Sequence, residues 1–189
     1  CVRLVGSEMC IRDSIRTGSF DSKFGFGIEY LNTLFQRISN TKHLKLNGLH
    51  AHIGSQIFEL DPHKDLGEIM VSVILDAKKY GHYIKKLNVG GGLGIKYIED
   101  DDPPSIDEWV RTISTSVLKA CKKHNLDLPT LMCEPGRSIV STAGITIYKI
   151  GAFKEIPGIR TYLSVDGGMS DNPRPITYQS SYSACLVSN

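Results

Sequence analysis

The sequence predicts an α/β fold, a parallel sheet covered by helices, followed by a stretch of β structure. Three observations predict it. Apolar residues recur at helical spacing in three segments. A short apolar run, of strand length, follows each of them. After Gly136 the helical period stops and only strand-like runs with turn signals remain.

Ile28, Leu31, Leu34, Phe35 and Ile38 repeat at helical spacing, with Asn40 as the stop. Leu44 to Ile53 then reads as a strand. Asp61-Pro62 opens a second helix as N-cap and first-turn proline. Its apolar face is Leu66, Ile69, Met70, Val73, Ile74 and Ala77, and Lys78, Lys79 and Gly81 suit its C-terminal end. Tyr83 to Val89 is a second strand. Ser105 and Glu108 have the spacing of a capping box, which starts a third helix. Its expected buried face is Ile106, Trp109, Val110, Ile113, Val117 and Leu118. Pro129 to Cys133 is a third, short strand. Alternation of this kind implies parallel strands. An open doubly wound sheet and a (β/α)8 barrel both fit, and in either one ligands collect at the C-terminal ends of the strands. Ile145 to Ile150 and Tyr162 to Val165 read as further strands, with turns at Pro157-Gly158 and Gly167-Gly168. The α/β part is therefore expected to end near residue 140.

With 22 basic and 20 acidic residues among 189, the net charge of +2 gives no reason to expect a nucleic acid or an anionic membrane as partner. No apolar run approaches the ~20 residues that span a bilayer. Cys1 to Ser14 lacks the apolar stretch of a secretory signal, so a cytoplasmic location is expected. The five cysteines, Cys1, Cys10, Cys121, Cys133 and Cys185, are scattered, and neither a disulfide framework nor a metal site is expected. Cys121 and Cys133 fall in apolar periodic segments and read as small buried hydrophobes.

Each of the three strands ends in a polar segment with glycine: His52-Ile53-Gly54-Ser55, Gly90-Gly91-Gly92-Leu93-Gly94, and Glu134-Pro135-Gly136-Arg137. Parallel strands would put all three on one rim. Three glycines in a row let the backbone approach a ligand and aim N–H groups at a phosphate, or else form a flexible turn. The run is not G-x-G-x-x-G, which argues against a dinucleotide. Glu134 at that edge can keep a ring nitrogen protonated, and Arg137 can grip a phosphate or carboxylate with two hydrogen bonds. His50 and His52 share a strand face. His52, nearer the strand end, is the better candidate. His43, His63, His82 and His124 lie in polar loops or helix ends and receive no role. The stretch Asp166 to Pro175, followed by Tyr178, reads by composition as a surface loop.

Together these segments resemble the fold-type III pyridoxal-phosphate decarboxylases. The resemblance is carried by Ser22-Lys23-Phe24-Gly25, Gly48 to Gln56, Asn88 to Gly94, Glu134 to Val140, and Val165 to Pro175 with Tyr178. The last stretch, through Asp166, Met169, Asp171, Arg174 and Tyr178, is similar to the branch acting on diaminopimelate. The resemblance implies a partial (β/α)8 barrel over residues 15–140, the beginning of a β domain over 141–189, and a homodimer with active sites at its interface. It implies pyridoxal 5'-phosphate as cofactor, with His52 stacked on the ring and Glu134 at the pyridine nitrogen. Ser55, Gly91, Gly92, Gly136 and Arg137 would meet the phosphate. Arg137, Arg174 and Tyr178 would meet the substrate, and the loop reading of the last two gives way. The implied reaction is decarboxylation of meso-2,6-diaminopimelate to L-lysine. Ornithine, arginine or carboxynorspermidine as substrate, or a non-catalytic regulatory homologue, are the alternatives. The family's Schiff-base lysine and proton-donor cysteine have no counterpart here, so the chain is expected to be an internal part of a longer protein and inactive alone. Residues 1–14 do not fit the family.

Overall fold

The computed structural model describes residues 2–4, 15–16 and 24–187. Ser22, Lys23 and all of residues 1–14 except Val2–Leu4 lie outside the described residues. The chain divides into two compact units, residues 1–95 with 102–141, and residues 96–101 with 142–189.

The first unit is built on a four-stranded sheet of β1 (Val2–Leu4), β3 (Gly48–Ala51), β5 (Lys86–Asn88) and β6 (Thr130–Met132), in that spatial order. Every pairing in it is parallel, and His50, Asn88 and Met132 are register partners across its last three strands. β2 (Ile15–Arg16) pairs antiparallel with β4 (Gly54–Ser55). β1 is a strand the sequence did not announce, because three residues are too few for a period to show. The expected strands shorten from both ends: Leu44 and Tyr83 are exposed, and pairing begins only at Gly48 and Lys86.

α1 (Leu31–Ser39) follows a 3-10 turn at Ile28–Tyr30, and it buries Leu31 and Phe35 but leaves Ile28 exposed. α2 (Asp61–Lys79) buries Leu66, Met70, Val73, Ile74 and Ala77 as its spacing predicts. Asp61 is not its cap. Leu60 holds that position without a side-chain hydrogen bond, and Asp61 stands in the first turn, where its charge suits the helix dipole. The C-terminus closes with Gly81 at φ 82°, while Gly81 N donates to Lys78 O and His82 N to Ala77 O. That double bond needs a left-handed residue, which glycine adopts without strain.

α3 (Ile106–Lys123) begins at the predicted capping box: Glu108 N donates to Ser105 Oγ at 3.2 Å, and Ser105 N to Glu108 Oε2 at 2.9 Å. Its buried stripe is Trp109, Ile113, Ser116, Val117, Ala120 and Cys121, whereas Ile106, Val110 and Leu118 are exposed. The difference comes from the small residues. Ser116 sits against Gly67 of α2, where any Cβ would stand 2.5 Å from its hydroxyl, and it donates to Lys64 O at 2.6 Å. Ser116 and Ala120 thus join the stripe, and Leu118 falls outside it. Cys121 is buried as expected and its thiol pKa is pushed up by burial. Cys133 is exposed instead, just beyond the last strand of the sheet.

His63, read as a polar helix end, is fully buried in α2, its ring edge-on to Trp109 with centroids 5.6 Å apart. Neither ring nitrogen finds a hydrogen-bond partner among the described residues. Burial, with a smaller contribution from His52, lowers its pKa from 6.5 to about 4. An unfolded chain therefore takes up a proton between these values that the folded chain refuses. Its contribution to stability is complete above pH 6.5 and is lost as pH falls toward 4, by roughly 3 kcal/mol. Urea unfolding of wild type and His63→Leu at pH 7 and pH 4 is expected to show the wild type losing more. Equal losses would show that His63 does not titrate this way.

The second unit contains a hairpin of β7 (Ile150–Ile156) and β8 (Arg160–Val165), closed by a turn with Gly158 at φ 72°. Ile145 to Lys149, expected as strand, has no regular structure, so the strand starts where that reading ended. A short helix, α5 (Arg174–Tyr178), begins at the end of the loop read over Asp166 to Pro175 and is ended by Gln179 at φ 53°. Tyr97 packs edge-on against Tyr182, with centroids 5.0 Å apart. Among the described residues no helix is long and apolar enough to cross a membrane.

Candidate functional site

Because β3, β5 and β6 run parallel and in register, the residues just past their C-terminal ends fall side by side. His52 follows β3, Gly90–Gly92 follow β5, and Glu134 follows β6. Gly91 N donates to His52 Nδ1 at 3.2 Å, which leaves the proton of a neutral ring on Nε2. Glu134 N donates to Gly90 O at 2.7 Å. The glycines sit in close quarters. A Cβ on Gly90 would stand 2.7 Å from His52 Nδ1, one on Gly91 would collide with Glu134 O, and one on Gly92 would stand 2.5 Å from Gly54 O. Gly90 and Gly92 also have φ of 70° and 104°. The triple glycine is therefore packed against His52, Glu134 and Gly54 and is not a loose turn.

Glu134 is half exposed, and its carboxylate is held from the sheet side. Asn88 Nδ2 donates to Glu134 Oε1 at 2.7 Å, and His50 Nε2 lies 3.4 Å from Glu134 Oε2. Asn88 Oδ1 in turn accepts from Gly90 N at 2.9 Å. Three residues further, Arg137 begins the short helix α4 (Arg137–Val140), and its Nη2 donates to Ser55 Oγ at 2.9 Å. Gly136, between them, has open space where a Cβ would point. The loop after β4 is fastened to the same rim. Ile57 N donates to Gly92 O and Gly94 N to Ile57 O, both at 2.9 Å, and the Gln56 amide bonds both ways with the Ile95 main chain.

Thus His52, Ser55, Gly91, Gly92, Glu134, Gly136 and Arg137, named from the sequence, stand on one rim. Asn88 and His50 belong with them, although the sequence reading gave Asn88 no role and preferred His52 to His50. The available signal was their place in strands that end at this rim. Arg174 and Tyr178 lie in the second unit, on successive turns of α5, with the guanidinium carbon 5.7 Å from the phenol ring centre. Arg174 Nε is buried there and bonds to nothing among the described residues.

A family model described as the pyridoxal-binding domain of pyridoxal-dependent decarboxylases matches residues 5–141. The diaminopimelate decarboxylase of Synechocystis sp. is 54% identical over 182 residues, covering 96% of this chain and 39% of that protein. That of Bacillus subtilis is 41% identical and covers 96% of this chain and 42% of its own length. The chain therefore spans about two fifths of the curated relatives it matches. Among solved structures, diaminopimelate decarboxylase from M. jannaschii in complex with L-lysine superposes with a TM-score of 0.78 at 31% identity, over 87% of this chain and 38% of that one. The Helicobacter pylori enzyme with L-lysine gives 0.76 at 27% identity, over 89% and 40%. The parallel sheet and its helices are part of the (β/α)8 barrel of such enzymes. The chain belongs to the pyridoxal-dependent decarboxylases, and its residues 5–141 match that family's pyridoxal-binding domain.

Proposed function

We propose that the complete protein is a pyridoxal-phosphate-dependent carboxy-lyase that converts meso-2,6-diaminopimelate to L-lysine and carbon dioxide by removing the carboxylate at the D-centre. The observation that carries this reading is the joining of three chemistries on one rim: a carboxylate at Glu134, a glycine cradle at Gly90–Gly92, and the Arg137–Ser55 pair. Relatives named diaminopimelate decarboxylase, similar over nearly the whole chain, support the substrate.

The residues present fit the cofactor. A side chain at Gly91 or Gly92 would collide with neighbouring backbone, and the space beside Gly136, one residue before Arg137, lies open. Ser55, Gly91, Gly92, Gly136 and Arg137 would hold the phosphate, His52 would cover the ring, and Glu134 would hold a proton on the pyridine nitrogen. Once bound, pyridoxal phosphate supplies the conjugated ring that takes up the electron pair left behind when carbon dioxide departs. Arg137, Arg174 and Tyr178 would bind the carboxylates of the substrate. A homodimer with active sites at its interface and a cytoplasmic location complete the reading, carried by the resemblance to the family.

Release of carbon dioxide and L-lysine from meso-diaminopimelate by the complete protein tests the reaction. The cofactor contacts are tested separately by binding. Arg137→Ala is expected to weaken pyridoxal phosphate by about tenfold to a hundredfold, the effect of one charged hydrogen-bonding partner. Pyridoxal without its phosphate should bind both forms alike. An equal loss for both ligands would place Arg137 away from the phosphate.

A further inference from the structure

We propose that Asn88 is a positioning residue that fixes the direction of the Glu134 carboxylate. This inference rests on the reading that Glu134 serves the ring nitrogen. Asn88 is the last residue of β5, and its amide is used at both ends. Oδ1 accepts from Gly90 N at 2.9 Å, and Nδ2 donates to Glu134 Oε1 at 2.7 Å. The two bonds determine the amide's orientation. A flipped amide would set a donor against the Gly90 N–H and an acceptor against a carboxylate. Glu134 is also bound through its main chain, by its N–H on Gly90 O at 2.7 Å. Backbone and side chain of Glu134 are thus both fastened to the segment Asn88–Gly90. On the other side His50 Nε2 stands 3.4 Å from Oε2.

The placement follows from register. His50, Asn88 and Met132 are partners across β3, β5 and β6, and Glu134 lies two residues past Met132. A carboxylate at a strand end, half exposed, would otherwise turn freely in water. The Asn88 donor restricts that rotation. A directed carboxylate holds a proton on a ring nitrogen better than a swinging one, because the bond needs no reorganisation when it is used. Asn88 also ties the carboxylate to the cradle, so the ring and phosphate contacts move as one piece.

The test compares Asn88→Asp, Asn88→Ala, Glu134→Gln and Asn88→Asp/Glu134→Gln in the complete holoenzyme. Asn88→Asp keeps an acceptor for Gly90 N but has no donor for Glu134 and brings a like charge to it. It is expected to lower kcat by about tenfold to a hundredfold, with KM changed little. It should also shift the visible absorption of bound pyridoxal phosphate in the same direction as Glu134→Gln does. The double variant is expected to be no worse than Glu134→Gln alone, because Asn88 acts through Glu134. If Asn88 serves only the glycine turn, Asn88→Asp behaves as wild type and only Asn88→Ala is impaired, which overturns the proposal. Multiplying effects in the double variant overturn it as well. Wild-type turnover and spectrum in Glu134→Gln would instead overturn the ring-nitrogen reading on which the proposal stands.

Discussion

Glu134→Gln in the complete enzyme is expected to retain pyridoxal phosphate and to lose decarboxylation by about a hundredfold or more, the scale of removing one preorganised electrostatic partner. The substitution keeps the shape of the side chain and the Asn88 contact can be remade on its amide oxygen. Only the charge is removed, which on the proposed reading faces the ring nitrogen. A ring whose nitrogen is not held protonated accepts the electron pair of the departing carboxylate less well, so the loss falls on kcat. On the proposed reading, cofactor binding falls mainly to the Gly90–Gly92 segment and to Arg137, whose hydrogen bond with Ser55 the substitution leaves in place. Cofactor titration alongside single-turnover release of carbon dioxide separates the two. Loss of cofactor with normal turnover of the loaded fraction would place Glu134 in binding alone.

Arg174→Ala is expected to lower kcat/KM for meso-diaminopimelate with cofactor affinity nearly intact. Diaminopimelate differs from lysine by a second carboxylate at its far α-carbon, and an enzyme that selects it must recognise that group. A planar guanidinium matches a carboxylate with two parallel hydrogen bonds, and a phenol can add a third. Arg174 and Tyr178 lie one helical turn apart with the guanidinium beside the ring, and Arg174 Nε is buried without a partner among the described residues. Truncating one member of a desolvated charge pair costs about 2–5 kcal/mol, or roughly thirtyfold upward in kcat/KM. Arg174→Lys should rescue poorly, because an ammonium cannot form the fork. Normal turnover of diaminopimelate by Arg174→Ala would remove Arg174 from the substrate site.

What was legible in the sequence was local or periodic. The Ser105–Glu108 box needs only two side chains and the intervening turn, and it forms as read. Five of the six residues read as the face of α2 are buried, and Gly81, read as its end, stands there with φ 82°. Alternation of helix and strand implied parallel strands, and from that alone His52, Gly90–Gly92 and Glu134 could be placed on one rim. What stayed hidden depended on partners far along the chain. Ser116 joins the α3 stripe because Gly67 makes room, and no count of apolar residues selects it. The burial of His63 depends on Trp109, 46 residues away, so a polar helix start became part of the core. The clamp on Glu134 needs the register of β3, β5 and β6, which a sequence of alternating residues does not specify. The short helix holding Arg174 and Tyr178 lies among prolines and glycines whose composition reads as loop, and only the resemblance to the decarboxylases singled out those two residues.

The most direct measurement of the central claim is substrate selection by the complete protein loaded with pyridoxal phosphate. meso-Diaminopimelate, ornithine and arginine are supplied separately, and carbon dioxide and the amine product are measured together. The expected result is equimolar carbon dioxide and L-lysine from meso-diaminopimelate. The other two amino acids, which leave the Arg174–Tyr178 pair without its carboxylate, should react slower by ~10⁴ in kcat/KM. Faster decarboxylation of ornithine or arginine, or no carbon dioxide from any of the three, would contradict the account.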